Sequence, residues 1–190
     1  MTEVPGKLTG ALDWRWMAGH CAAARGGTPV IEEIYAELEL IQARVLEGLA
    51  EIPDERLAWK PTRASTSAVE ITWHMASAER RLAARLRGED PDQIDASAGT
   101  QNWIEAAARG EADVSAVPRD RSGLETALAA ARRETLASLS SLTAAQLSEL
   151  TGEFAGQPRT RAFWARSIAR HHSYHAGQLF TLAALIRGGL

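Results

Sequence analysis

Four long stretches of this 190-residue chain carry apolar residues at steps of three and four, the spacing that places side chains on one face of an α-helix. No stretch shows sustained alternation of apolar and polar residues between turn signals, so the sequence predicts no β-sheet. A hydrophobic content of 45% is enough for one domain with a buried core. We therefore predict an all-α four-helix bundle.

Helix-capping residues set the bounds of the four predicted helices. A serine or threonine that can accept a hydrogen bond from an orphan backbone amide precedes each helix, and a glycine follows two of them. The predicted helices extend from the Thr28-Pro29 start to Leu49, from the Ser67 cap to Arg87, from the Ser122 cap to Leu142, and from the Thr160 cap to Gly188.

Two segments fall outside these helices. The segment 89–121, between helices two and three, is far longer than a usual bundle loop, which predicts a long crossover or a pocket lid. Within it, residues 101–108 are expected to form a short helix that carries Trp103. Residues 1–27 are predicted to be an N-terminal extension with at most one marginal additional helix, because glycines interrupt its apolar stripe. The bundle domain is predicted to span residues 28–190.

Charge and cysteine content argue against several classes of protein. A net charge of -3 and a pI near 6.0 give no general attraction to phosphate backbones or anionic lipid, so neither nucleic acid nor a membrane is expected as a partner. The single cysteine, Cys21, cannot form an internal disulfide, and no secretory leader is recognised, so the cytoplasm is the expected location. Bundles of this size often pair, so we expect a homodimer that acts on a small-molecule substrate.

Two histidines in the last predicted helix are the strongest functional signal. His171 and His175 lie four residues apart and share a helix face, where both imidazoles can bind one metal ion. His74, the other histidine inside a convincing helix, is the natural third ligand. Three imidazoles leave a coordination position open, which indicates catalysis or ligand capture rather than a closed structural zinc site. A zinc protease is disfavoured, since His172 stands where that chemistry needs a glutamate base.

Other polar residues near these histidines receive different interpretations. His20 and His172 are left out of the ligand set, because a lone histidine on a helix is more often a hydrogen-bonded core or surface residue. His172 is expected to reach solvent or a subunit interface. Gln178 lies within reach of the same face as His175 and can hydrogen-bond a metal-bound water or a neighbouring helix. For Glu79 we expect a salt bridge rather than a ligand role.

Aromatic and basic side chains also fit a helical bundle. Three tryptophans are expected to pack its core: Trp59, Trp73 and Trp164. Three arginines on the second predicted helix suggest an exposed face from which one guanidinium can bind a substrate carboxylate by two parallel hydrogen bonds: Arg80, Arg81 and Arg85.

Three groups of residues carry a resemblance to a known family. They are Leu57-Ala58-Trp59-Lys60-Pro61, then Trp73-His74 with Ala78-Glu79, and finally His171-x-x-x-His175-x-Gly177-Gln178. Together they resemble the DinB/YfiT-like family of four-helix-bundle metalloenzymes, over residues 29–190. The chain differs from many members at Ala176, where they carry arginine.

The resemblance implies a divalent metal ion held by His74, His171 and His175 at one end of the bundle below a substrate pocket. Imidazole ligands suit zinc, nickel or iron as that ion. It also implies a thiol cofactor, since the better-understood members look like enzymes that transfer low-molecular-weight thiols such as bacillithiol or mycothiol, or that isomerise maleylpyruvate with mycothiol. Two alternatives stay open: a metal-dependent hydrolase that activates water, and a bundle that only binds a ligand or a second copy.

Overall fold

The computed structural model describes residues 29–94 and 97–189. The predicted marginal helix within 1–27, together with His20 and Cys21, lies outside these residues, as does the predicted Thr28 cap. The described elements are helices α1 (Pro29–Ala50), α2 (Ala68–Arg87), α3 (Gln101–Arg109), α4 (Arg121–Ser140), α5 (Ala144–Leu147) and α6 (Arg161–Arg187), with strands β1 (Leu150–Phe154) and β2 (Gln157–Thr160) between α5 and α6. The four long helices form the predicted all-α bundle. Within the described ranges, every helix is too short or too polar to cross a membrane.

Side-chain caps explain where two of the long helices begin. The Ser67 hydroxyl accepts a hydrogen bond from the Glu70 amide (3.3 Å), and the Glu70 carboxylate accepts one from the Ser67 amide (2.8 Å). This is the capping box predicted for α2, and Gly88, in the left-handed conformation with φ 81, ends that helix. Thr160 caps α6, also as predicted.

The predicted cap of the third long helix is wrong. The Asp120 carboxylate, and not Ser122, accepts a hydrogen bond from the Gly123 amide (2.8 Å), and α4 begins at Arg121. Aspartate is as good a cap as serine, so an earlier aspartate starts the helix sooner. The local pattern was therefore ambiguous between two neighbouring caps.

Contacts between the helices define their directions. Glu33, near the start of α1, pairs with Arg166 of α6 (3.6 Å), and Glu51, just after α1, pairs with Arg187 at the end of α6. The two helices therefore run parallel. His74 and His171 meet between α2 and α6 near the start of α2, whereas Arg161, at the start of α6, donates to a carbonyl at the end of α2. The helices α2 and α6 are thus antiparallel.

The helices α2 and α4 are parallel, which explains the long connection between them. Arg80 pairs with Glu134 (3.4 Å), and Arg87, at the end of α2, donates to Ser138 near the end of α4 (3.2 Å). After α2 the chain must return along the whole helix, about 30 Å for 20 residues. Residues 88–120 make this return, which confirms the predicted crossover.

The crossover packs along α2. It contains two single-turn helices, Pro91–Gln93 and Ser97–Gly99, and then α3, which begins at the Thr100 cap and matches the predicted short helix. At the far end of α3, the Lys60 ammonium donates to the Ala107 carbonyl (2.7 Å). The crossover is therefore fixed to the loop between α1 and α2.

The prediction of no β-sheet is wrong, because β1 and β2 form an antiparallel hairpin. Ala155 and Gly156 turn the chain with positive φ values of 53 and 71, the conformation of a tight two-residue hairpin turn. The strands have five and four residues and are mostly exposed. Such short strands, with an Ala-Gly turn instead of Asn-Gly, leave no sustained alternation in the sequence.

The bundle core consists of two apolar clusters. The first surrounds the end of α1 and the start of α2, where Trp59 and Trp73 pack against it. The second lies at the other end of the bundle and includes Leu38, Leu86 and Ile168. Trp164 is 2% exposed. The three tryptophans thus lie in or against buried regions, as expected for a bundle.

A charged group is buried in the helical core. Arg132 of α4 binds the Glu79 carboxylate of α2 (2.7 Å) and donates to the Leu38 carbonyl of α1. This is the salt bridge predicted for Glu79. His172 of α6 approaches the same carboxylate (3.4 Å) and is fully buried, so the prediction that it reaches solvent or a subunit interface is wrong. Its helix is covered by α1 on one side and α2 on the other. Burial and the Arg132 charge lower the pKa of His172 to about 3, so it is neutral.

Candidate metal centre

Three histidines from two helices meet between α2 and α6. The Nε2 atom of His171 lies 3.1 Å from Nε2 of His74 and 3.2 Å from Nε2 of His175. We call these three residues the histidine cluster. Nitrogens bound about 2.0–2.1 Å from one tetrahedral ion are about 3.3 Å apart. The cluster, in which one ligand atom from each residue lies within 4.8 Å of the others, therefore has the spacing for a single metal ion.

Hydrogen bonds fix the proton on two of the three rings. Nδ1 of His74 lies 2.7 Å from the Ala98 carbonyl oxygen, and Nδ1 of His175 lies 2.7 Å from Oε1 of Gln178. Since an oxygen of this kind only accepts, each Nδ1 carries the proton and each Nε2 presents a lone pair. Gln178 thus contacts a predicted ligand directly, in the manner of a residue that orients a metal-binding histidine.

The third ring adds a lone pair that requires a partner. Nδ1 of His171 is buried without a hydrogen-bond partner among the described residues. With its proton on Nδ1, the His171 ring directs a third Nε2 lone pair at the point that the Nε2 lone pairs of His74 and His175 also face. With its proton on Nε2, it can donate to only one of the two neighbouring lone pairs. In both forms the cluster has more acceptors than donors, which fits a bound cation.

Burial keeps the cluster neutral. It lowers the pKa of His74 to about 4, with the Ala98 hydrogen bond opposing the shift. Burial, and then the repulsion from any proton on His175 or His74, lower the pKa of His171 to about 2. Burial also lowers the pKa of His175, against the hydrogen bond to Gln178. Neutral imidazoles are the form that binds metal, so no proton competes with a metal ion at neutral pH.

The crossover places the carbonyl that orients His74. A β-carbon on Gly99 would lie 2.6 Å from backbone atoms of Ser77 and Ala78, so only glycine permits this approach to α2. The neighbouring Ala98 carbonyl can then reach the His74 ring. Trp103 lies parallel to that ring, with centroids 6.5 Å apart.

Two cavities border the histidine cluster. The larger cavity, of about 660 Å³, is bounded by His74 and His171, and the smaller cavity, of about 570 Å³, by His171 and His175. Gln101, at the start of α3, lines both. Trp103, which the predicted short helix carries, lines neither cavity and instead lies parallel to the His74 ring. The cluster is therefore accessible from two directions.

The predicted exposed arginine face of α2 is wrong. Arg80, Arg81 and Arg85 are each only partly exposed, because the crossover and the hairpin pack beside this part of the helix. Arg81 and Arg85 line the larger cavity. The helix face that the sequence suggested for carboxylate binding thus borders the candidate metal centre.

The family model of the DinB superfamily matches residues 37–179, which include the whole histidine cluster. The chain belongs to the DinB superfamily. A crystal structure of a conserved protein from Enterococcus faecalis is similar, with a TM-score of 0.65 and 21% sequence identity over 85% of this chain and 99% of that chain. At this identity the similarity shows the fold alone. No curated protein matches the sequence.

Several residues of this DinB-superfamily site were not identified from the sequence. The Ala98 carbonyl has no side-chain signal, and Gly99 looks like any loop glycine. Gln101 was placed correctly at the start of a short helix, but its position between two cavities depends on how the crossover packs. The hairpin residues Glu153 and Phe154, which line the larger cavity, belong to the element that the sequence failed to predict.

Proposed function

We propose that this protein is a metal-dependent enzyme that activates a low-molecular-weight thiol of the mycothiol or bacillithiol kind. The activated thiol would either be transferred to a small molecule or promote the isomerisation of that molecule. The observation that carries the proposal is the convergence of three neutral Nε2 atoms where two cavities meet. A divalent zinc, nickel or iron ion held there would lower the pKa of a thiol that reaches its open side.

The protein residues would each have a defined task. His74, His171 and His175 would hold the ion through Nε2. The Ala98 carbonyl and the Gln178 amide oxygen hold the protons on the opposite ring nitrogens, so these rings neither turn nor change tautomer. The surrounding burial keeps the rings neutral.

The two cavities favour a reaction between two molecules. A thiol and an acceptor can approach the cluster through different cavities, each large enough for a small organic molecule. In the transfer reaction the thiol loses its proton to solvent, a carbon–sulfur bond forms, and the leaving group departs with its bonding electrons. Hydrolysis needs space for only one organic reactant, so the second cavity favours thiol transfer.

The metal site is tested by elemental analysis of protein purified without an affinity tag or chelator. We expect nearly one equivalent of metal in the wild type and none in the variant with His74→Ala, His171→Ala and His175→Ala. Ser173→Ala, on the exposed side of the same stretch of α6, is the matched control and should retain the metal. A wild type that stays empty after incubation with zinc, nickel and ferrous ions would exclude the proposal.

The thiol reaction is tested with the metal-loaded protein, several thiols and several small electrophiles, with products identified by mass spectrometry. We expect a thioether or an isomer that forms only when the thiol is present and that is lost in the triple variant. Hydrolytic product without thiol would support a hydrolase instead. Tight binding of a thiol without any turnover would support a ligand-binding bundle.

A further inference from the structure

One face of α2 connects the histidine cluster to the far end of the larger cavity. The α2 residues that line this cavity occur at intervals typical of a single helix face: His74, Ala78, Arg81, Leu82 and Arg85. The Cα atoms of His74 and Arg85 are about 16 Å apart along the helix axis. Long side chains on a helix point back towards its N-terminus, so the Arg85 side chain extends towards His74.

Two of the three arginines on this helix are already paired. Arg80 binds Glu134 of α4 (3.4 Å) and does not line the cavity. Arg81 lines the cavity, but its guanidinium binds the Asp92 carboxylate (2.5 Å) and donates to the Pro91 carbonyl (2.9 Å). The charge of each is therefore balanced by a neighbouring carboxylate.

Arg85 has no such carboxylate. Its guanidinium lies over the Trp164 ring, 4.8 Å from the centroid, and no acidic group of the described residues lies within ion-pair distance of it. Gly152 of the hairpin passes so close that a β-carbon there would be 2.9 Å from Nη1 of Arg85. A guanidinium that stacks on a ring still has the N–H donors along its edge free for hydrogen bonds, and two of these donors match the two oxygens of a carboxylate.

The remaining charges around the larger cavity also favour an anion. Arg170 of α6 lines it and donates to the Ser167 hydroxyl (2.7 Å), again without an acidic partner among the described residues. Among the described residues that line this cavity, Glu153 is the one carboxylate. Two guanidinium groups thus oppose a single carboxylate, so the cavity carries a net positive charge.

Aromatic rings form the apolar part of this cavity. Phe154 from the hairpin and Phe163 and Trp164 from α6 line it and contact one another, with ring centroids 5.1–6.5 Å apart. Rings of this kind pack well against the flat body of an aromatic or unsaturated molecule. The cavity therefore combines an apolar wall with two arginines that lack an acidic partner among the described residues, Arg85 stacked on Trp164 and Arg170 stacked on Phe163.

We propose that the larger cavity binds a small organic acid with a planar aromatic or unsaturated body, and that Arg85 holds its carboxylate. The acid would be the acceptor of the thiol reaction, a role that rests on the proposed function. Binding of the acid itself depends on the arginine and the aromatic wall and requires no metal.

The test is calorimetric titration of chelator-treated protein with benzoate, phenylacetate and cinnamate, and with benzyl alcohol and phenyl phosphate for comparison. We expect one of the acids to bind at least tenfold more tightly than benzyl alcohol. Arg85→Met should weaken binding of that acid at least tenfold. Arg85→Lys should weaken it less, because lysine keeps the positive charge but lacks the two parallel N–H donors of the guanidinium. Arg80→Met, the matched control, should stay within twofold of the wild type.

Three results would overturn the proposal: no binding of any acid, equal binding of acid and alcohol, or wild-type affinity in a folded Arg85→Met variant. Tighter binding of phenyl phosphate than of every acid would overturn the carboxylate assignment. If Arg85→Met does not fold, the comparison of acid with alcohol in the wild type still decides whether the cavity recognises a carboxylate. Metal content, measured separately in each variant, distinguishes a failed acid site from a failed metal site.

Discussion

Removal of Arg132 should strongly destabilise the protein, because it would leave the Glu79 carboxylate buried in the core without its arginine partner. The Glu79 side chain is 0% exposed and the Arg132 side chain 7% exposed. His172, which also approaches this carboxylate, is neutral while Arg132 is present, because burial and the Arg132 charge lower its pKa. We therefore expect a far larger effect than for the exposed ion pairs of this chain, which contribute about 0–1 kcal/mol each.

The size of the effect follows from the burial of both partners. Loss of one member of a buried pair costs about 3–5 kcal/mol, because the other charge keeps its desolvation cost without its attraction. For a chain of this length, each kcal/mol corresponds to about 2–4 °C in melting temperature, so Arg132→Met should lower it by roughly 6–20 °C. Replacement of both partners, in Glu79→Leu with Arg132→Met, should recover most of this loss, since no isolated charge remains.

The measurement is urea unfolding followed by circular dichroism, with chelator present so that metal binding does not contribute. Arg133→Met is the matched control, since Arg133 is the next residue of α4 and is exposed. It should change the free energy of unfolding by less than about 0.5 kcal/mol. A loss below about 1 kcal/mol in Arg132→Met, or a double variant as unstable as the single one, would refute this reasoning.

Three further predictions concern the histidine cluster. Gln178→Leu removes the acceptor for Nδ1 of His175 and should weaken metal affinity about 10–100-fold in a chelator competition, whereas unchanged affinity would show that Gln178 does not orient the ring. Gly99→Ala brings a methyl group 2.6 Å from the α2 backbone and should displace the Ala98 carbonyl, so we expect weaker metal binding by the same assay, while Gly177→Ala, with open space around it, should retain it. Because the folded pKa values of the cluster lie below 6.5, the unfolded chain gains protons first on acidification. Metal-free protein should therefore lose stability as pH falls from about 6.5 towards 4, by roughly 1 kcal/mol per pH unit for each of His74 and His171, and a flat urea midpoint over this range would contradict it.

Much of the bundle was predictable because its signals are local. The capping box at Ser67, the Thr160 cap and the glycine after α2 act within one helical turn, so they can be recognised without the fold. The four-residue spacing of His171 and His175 is local as well. His74 is the remaining histidine in a clear helix, and the structure brings it to the other two.

The features that escaped prediction depend on contacts distant in sequence. His172 is buried by packing on Glu79, which is 93 positions earlier in the chain, and its own neighbours in sequence give no indication of this. The hairpin is too short to show a pattern, and it is held in place by packing of Gly152 on Arg85 and Trp164. The homodimer, the cytoplasmic location and the domain boundary at residue 28 stay predictions.

The parallel arrangement of α2 and α4 has a consequence for how metal affinity can vary. The chain that returns between these helices passes the histidine cluster on its way, and its Ala98 carbonyl holds one ring in place. A segment required only by the direction of two helices therefore also sets the orientation of a ligand. Insertions or deletions in residues 88–120 would therefore change the affinity for a metal ion without any change in the three histidines.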